Sequence, residues 1–489
     1  MRREHAILTL AVIAVGATSC RAGEGPPVKT DMRRDLEYWR GEEERTPGPF
    51  LCEKPAATDV VVSCDRWPDC SDLRRFARDA FRLSGAKTPH EEALAAWQWM
   101  RRVKISTNGE APTDPFHIER DGGQADDPIK VLNVYGGHWC SGLGRVLAFI
   151  WRGAGREAHC LHRYSHGMGA LRYTDDDGVN RWHLFDCNFG GYTLDRAGKR
   201  VLGPDEFSTD WYQWMYPWYF GETWPMPTHR VELSLRRGEK LERIWGNWGK
   251  PFHDNIEDCT NPPRSERGPY VPDFGNGRWT YSPDLADPDW TDGLAGAPAG
   301  TTPKKLQPAA AGKPATAIWH FRTPYIAVES EIKLSAFRKT EKDELRLFLS
   351  VDNGKTWKRC WSAPRAETGK REFTVKLDGK FKVIPRKWKV PEGFNSPFGR
   401  YAFRLKLEMT AAEKAEDCRV EKISFDTVVQ QNMFSLPQLQ PGRNVITVRG
   451  KLAAGAALKI TYLWEDPSGE GRRNVTVAEK LPYTYEIGA

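Results

Sequence analysis

Cys140 is the residue of this chain best placed to act as a nucleophile. It stands one helical turn ahead of Leu143, Val146, Leu147, Ile150 and Trp151, which recur at i, i+3, i+4, i+7 and i+8 and predict an amphipathic helix. A thiol at a helix N-terminus meets unpaired N–H groups and the positive end of the helix dipole, which favour the thiolate. The same N–H groups can hold an oxyanion as charge develops on a substrate carbonyl. A thiolate of this kind needs an imidazole, and His138, His159, His162, His166 and His183 are the nearby candidates.

Strand geometry separates them. Three strand-like runs follow the helix, at residues 157–164, 168–174 and 180–187, and the turn Asp175-Asp176-Asp177-Gly178 joins the last two. If Thr174 faces Val179 across that turn, His166 falls opposite Cys187, one register step from Asp186. On a regular strand Trp182, Leu184 and Asp186 share one face and His183 points the other way. Asp186 can therefore orient His166, which completes a Cys-His-Asp set of the generalised triad kind. His159 and His162 have neither a zinc-helix spacing nor adjacent acids and read as structural. Other readings of the three residues stay open at this level: a disulfide partner for Cys140, a turn histidine for His166, a strand-end cap for Asp186.

These residues resemble a family. The stretch from His138-Trp139-Cys140-Ser141-Gly142 to Trp151-Arg152-Gly153-Ala154-Gly155 is similar to the cysteine-bearing helix of the transglutaminase-like superfamily, with Arg152 and Gly155 at matching places. His166 matches the second motif, a histidine opening a strand, and Trp182-His183-Leu184-Phe185-Asp186 the third. The chain departs from the pattern at His138, at Gly167-Met168 and at Cys187. The resemblance covers roughly residues 128–195. It implies a papain-like α+β core and acyl transfer on protein or peptide amides by Cys140, His166 and Asp186, of protease, amidase or cross-linking type. Trp139 could donate its indole N–H to an oxyanion. The chemistry requires no cofactor and no metal. A rival reading keeps the fold but makes the chain a non-catalytic scaffold or a carbohydrate- or envelope-binding protein.

The elements that must position these residues fall into an ordered series. Residues 1–20 read as a signal sequence, with Arg2-Arg3, an apolar run and Ala17-Thr18-Ser19-Cys20, which resembles a lipoprotein box with Cys20 as the acylated residue. Export to the periplasm or cell envelope follows from that reading, either anchored by a lipid on Cys20 or cleaved and released, with the membrane reached only through that lipid. A polar tether occupies 21–55 and the transglutaminase-like domain 56–245, with helices predicted from Ser71 to Leu83 and from His90 to Val103 and an extended entry at 129–135. A Pro/Gly-rich excursion and linker is expected at 246–314, then antiparallel β-sandwich material over 315–489.

The remaining signals bound the function. Lys+Arg 72 against Asp+Glu 65 leaves a net +7 without a basic tract, which argues against nucleic acid as a partner. The expected partner is a protein or peptide substrate, with envelope polysaccharide a further candidate for the C-terminal region. With Cys20 and Cys140 set aside, the other eight cysteines read as structural disulfides, and Cys360 with Cys418 as the bridge of the C-terminal region. Ser350-Val351-Asp352-Asn353-Gly354-Lys355-Thr356-Trp357 resembles a single Asp-box hairpin, a structural motif.

Overall fold

The computed structural model describes residues 50, 52–104, 127–138, 140–163, 166–206, 219–220, 227, 229–243, 277–302, 304–377, 396–466 and 468–489. The expected signal sequence with Cys20, and also Trp139 and Cys259, lie outside the described residues. The fold is rich in antiparallel β-sheet, with few helices. Among the described residues no helix is long and apolar enough to cross a membrane.

Strand β1 (Ala57–Cys64) leads into α1 (Leu73–Ser84) and α2 (Pro89–Val103). Asp72, rather than the expected Ser71, caps α1 by accepting the N–H groups of Arg74 and Arg75. Helix α2 begins with a capping box in which Thr88 and Glu91 satisfy each other's backbone donors, with Pro89 at the first helical position. The stretch expected to be extended at 129–135 is helical instead. It starts as α3 (Pro128–Lys130) and continues as a π turn over Val131–Tyr135. Every residue there is buried, so no solvent face imposed a helical period on the sequence.

Helix α4 (Cys140–Gly153) packs on a sheet of β2 (Ala158–Arg163), β3 (His166–Thr174), β4 (Asn180–Phe185) and β5 (Tyr219–Phe220), ordered β4-β3-β2-β5. Arg152 Nε donates to the Ala158 carbonyl at 2.9 Å, and Gly155 takes a positive φ of 77°, so this Arg–Gly pair turns the chain from α4 into β2. The β3–β4 register is one step from the expected pairing, with Thr174 facing Asn180 and Gly169 facing Phe185. Arg181 bonds both Asp175 and Asp177 and closes the intervening turn.

Sheet pairing runs across the boundaries suggested by composition. β1 pairs with Arg443–Leu452 near the C-terminus, which in turn pairs with Tyr483–Gly488. The stretch expected as linker at 246–314 is structured where described: Gly277–Tyr281 is a strand, and Trp279, Tyr281, Trp290, Leu294 and Leu306 are buried. The C-terminal region is antiparallel as expected. A four-stranded and a five-stranded sheet share one core containing Trp319, Leu334, Leu347, Leu405 and Phe425. It is tied to the helical part by Asn432, whose side-chain amide donates to the carbonyls of Val103 (2.5 Å) and Leu132 (2.6 Å).

None of the eight described cysteines is in a disulfide. Cys360 and Cys418 stand on strands of the two different sheets, and their thiols donate to the separate carbonyls of Leu347 and Glu344. The Asp-box residues do form a tight turn: Ser350 Oγ accepts from Gly354 N, and Asp352 accepts from Thr356.

The contact between α4 and β3 leaves no room for side chains at its centre. A Cβ at Gly144 would lie 2.9 Å from the Met168 carbonyl carbon and 3.0 Å from Gly169 N. We expect Gly144→Ala to destabilise the protein by about 1–3 kcal/mol in denaturant unfolding, because backbone must move to admit one methyl. Gly178→Ala on the exposed hairpin, where nothing lies within 4 Å, meets only backbone strain and should cost about 1 kcal/mol. No loss at Gly144 would contradict this packing.

Candidate functional site

The structure brings Cys140, His166 and Asp186 together. Cys140 is the first residue of α4, half-buried, and the N–H of Gly167 on β3 points at its sulfur, 3.4 Å away. Gly167 can approach that closely because it has no side chain: a Cβ there would lie 2.7 Å from Ser141 Cα. Gly167, one of the departures noted in the sequence, therefore lets strand and helix meet at the sulfur.

His166 opens β3, and its Nε2 lies 2.8 Å from Asp186 Oδ2. An ionised carboxylate only accepts, so this contact places a proton on Nε2 and leaves Nδ1 to exchange one with Cys140. Asp186 follows the last residue of β4, where the strand has ended and the chain turns. Its other oxygen, Oδ1, accepts the N–H groups of Asn188 (2.7 Å) and Phe189 (2.9 Å). The acid therefore reaches His166 from a loop rather than through strand register.

The protonation states follow from these contacts. Burial acts to raise the Cys140 thiol. The hydrogen bond with His166, the Gly167 N–H, the imidazolium charge and the Ser141 N–H together outweigh it and leave the thiol below its ordinary value. His166 is pushed up to about 9, first by its bond to Asp186, then by Cys140, against burial. Burial opposes ionisation of Asp186, but the His166 and backbone N–H bonds prevail and hold its pKa down. The set can thus exist near neutral pH as thiolate, imidazolium and carboxylate. The thiols of Cys64 and Cys360 are raised to about 11, and those of Cys160 and Cys418 to about 12, chiefly by burial.

The other histidines stand apart from this arrangement. His183 is fully buried on the opposite face of β4, stacked on Tyr173 at 3.7 Å, with Nδ1 2.7 Å from the Val201 carbonyl. His159 packs edge-on against Trp182, and burial lowers it to about 4. Burial likewise lowers His162. His138 is buried, with its ring against Gly142. Among the described residues no group of three or more His, Cys, Asp or Glu is arranged to hold a metal ion.

The sequence did not single out three further groups. Phe189 is 74% exposed, and its ring sits 5.2 Å from that of His166, an apolar surface beside the imidazole. Trp97 Nε1 donates to the Asp186 carbonyl at 3.0 Å, and Lys104 Nζ reaches the carbonyls of Cys187 and Asn188. Their only signal was the place of Trp97 on α2 and of Lys104 just past its end.

No family model matches the chain, and no curated protein matches it. Among solved structures, it aligns with the M60 catalytic domain with two CBM51 domains from Clostridium perfringens ZmpB. That alignment has 9% identity and a TM-score of 0.15, and covers 65% of this chain and 36% of that one. The chain thus spans about a third of the length of that structure. A TM-score that low carries no argument about fold or activity.

The charge states predict selective chemistry. Iodoacetamide on the native protein near pH 7 should label Cys140 ahead of the other seven described cysteines, read by peptide mass mapping. His166→Ala should shift the pH dependence of that labelling upward, toward the ordinary thiol value of about 8.5. Labelling of Cys140 no faster than a free thiol, or unchanged by His166→Ala, would contradict the ion pair.

Proposed function

We propose that this chain is a thiol-dependent acyl-transfer enzyme acting on protein or peptide amides through Cys140, His166 and Asp186. The observation that carries the reading is the contact set around one sulfur. A helix-terminal thiol takes an N–H from Gly167 and is lowered by His166, and His166 is itself held 2.8 Å from Asp186. The α4–β3 packing and the order of the three residues along the chain support a transglutaminase-like, papain-like core. The amino-terminal sequence supports export to the cell envelope, with Cys20 as a lipid site, and the C-terminal sheets are assigned an accessory role on protein or envelope polymer.

Each step balances within the site. The Cys140 thiolate attacks the amide carbonyl carbon, and the carbonyl electrons move to oxygen, which backbone N–H groups at the start of α4 can stabilise. As the tetrahedral adduct collapses, the C–N bond breaks and His166 gives its proton to the departing amine, leaving a thioester. Water or a second amine then attacks the thioester. His166 takes the proton from that nucleophile, and Cys140 leaves as thiolate. Water gives a carboxylic acid and an amine gives a new amide. Asp186 holds the imidazole in the tautomer that serves both directions.

The test is turnover of glutaminyl and general peptide substrates, with a fluorescent primary amine as acceptor in one arm and water alone in the other. Cys140→Ser should abolish turnover, and Asp186→Asn should lower kcat by about a hundredfold or more, since it removes the negative charge and, with its oxygen kept on the Asn188 and Phe189 N–H groups, turns an N–H donor toward Nε2 so that the tautomer is no longer held. Because His166 is raised to about 9, its imidazolium survives through neutral pH and is lost only above that value. The alkaline limb of the pH–rate profile should therefore fall near pH 9. Activity that survives Cys140→Ser would overturn the proposal. A protein that turns over neither substrate and whose Cys140 is unreactive would leave the scaffold reading.

A further inference from the structure

The loop that carries Asp186 is gripped from behind by α2 and the residue that caps its end. Trp97 and Arg101 stand one turn apart on the helix, and Lys104 follows its last residue in extended conformation. Trp97 holds the Asp186 carbonyl, and the Arg101 guanidinium lies over the Trp97 ring, 4.7 Å from its centre. Arg101 also occupies the space that a side chain at Gly190 would need. Lys104 is 8% exposed, and its ammonium donates to the carbonyls of Cys187 at 2.6 Å and Asn188 at 3.3 Å. The charged and titratable groups around it are Cys187, Arg101 and Asp186, and among the described residues no carboxylate lies within ion-pair distance of its nitrogen. Burying an ammonium against carbonyls alone is costly, so the arrangement calls for a reason.

The peptide geometry supplies one. The Cys187 carbonyl and the Asn188 N–H belong to a single planar unit, and the Asn188 carbonyl and Phe189 N–H to the next. Lys104 binds the oxygen ends of these two units, and Asp186 Oδ1 binds their N–H ends. Two peptide dipoles are thus held between a buried cation and the carboxylate that orients His166. With Oδ1 occupied in this way, Oδ2 is turned toward the imidazole.

We propose that Lys104 is a positioning residue, which acts through the Cys187–Phe189 peptides to fix the Asp186 carboxylate against His166. This inference rests on the Cys140–His166–Asp186 reading. Its consequence is that the charge of Lys104 sets the strength of the His166–Asp186 bond and, through it, the acidity of Cys140.

The experiment is the pH dependence of Cys140 alkylation by iodoacetamide in the full chain, compared for wild type, Lys104→Met and Lys104→Arg. Folding of each variant is confirmed by circular dichroism. Lys104→Met keeps the aliphatic stem and removes the charge and donors. It should move the Cys140 transition upward by about one pH unit, a loss of about tenfold in rate on the acid side. Lys104→Arg, which can still bind both carbonyls, should recover most of that loss. A merely structural lysine would lower the melting temperature of both variants and leave the transition where it is in wild type.

Superimposable profiles for wild type and Lys104→Met would overturn the proposal, as would equal shifts in the Met and Arg variants. If Lys104→Met does not fold, Lys104→Gln, also uncharged, is judged by the same criteria. A wild-type profile insensitive to His166→Ala would instead show that the underlying Cys-His-Asp reading had failed.

Discussion

The close approach of α4 to β3 is the constraint on which the rest of the site depends. Three positions without side chains, Gly144, Gly167 and Gly169, let helix and strand meet backbone to backbone. That contact sets the start of the helix, and hence the Cys140 sulfur, against the first residues of the strand, and hence His166. A single methyl in the contact would force the two elements apart. The hydrogen bond from Gly167 N to sulfur depends on sub-ångström placement, so a small displacement would remove it.

Asp186 is placed by different means. It lies past the end of β4, where sheet hydrogen bonding no longer fixes the chain, so its position depends on local bonds. The turn folds back through the Asp186 N–H to the Gly191 carbonyl, and the N–H groups of Asn188 and Phe189 converge on the carboxylate. Trp97 of α2 and Lys104, the residue after its end, close the arrangement from behind. A rigid helix–strand contact thus places the thiol and imidazole, and a side-chain-clamped turn places the acid.

Much of this was legible in the sequence, and the rest was not, for identifiable reasons. The apolar stripe from Leu143 to Trp151 announced α4 because one face is buried on the sheet and the period is kept. The β3–β4 hairpin was legible from its turn residues, and the pairing of His166 with Asp186 was anticipated, although the expected register was off by one residue. Ile129–Tyr135 misled because burial on all sides removes helical periodicity. The pairing of Ala57–Cys64 with Arg443–Leu452 joins segments nearly 400 residues apart, and no local pattern carries such information. Lys104 carried no signal of its role in the sequence, since that role comes from a loop more than eighty residues away.

The central claim is that Cys140 rests as a thiolate paired with the His166 imidazolium. Ultraviolet absorbance of thiolate near 240 nm, titrated from acid to alkaline pH in wild type and in Cys140→Ser, isolates this one group in the difference. The account predicts a one-thiolate transition below the ordinary thiol value of about 8.5, moved upward in His166→Ala. A difference spectrum that appears only at or above about pH 8.5, or that does not respond to His166→Ala, would contradict it.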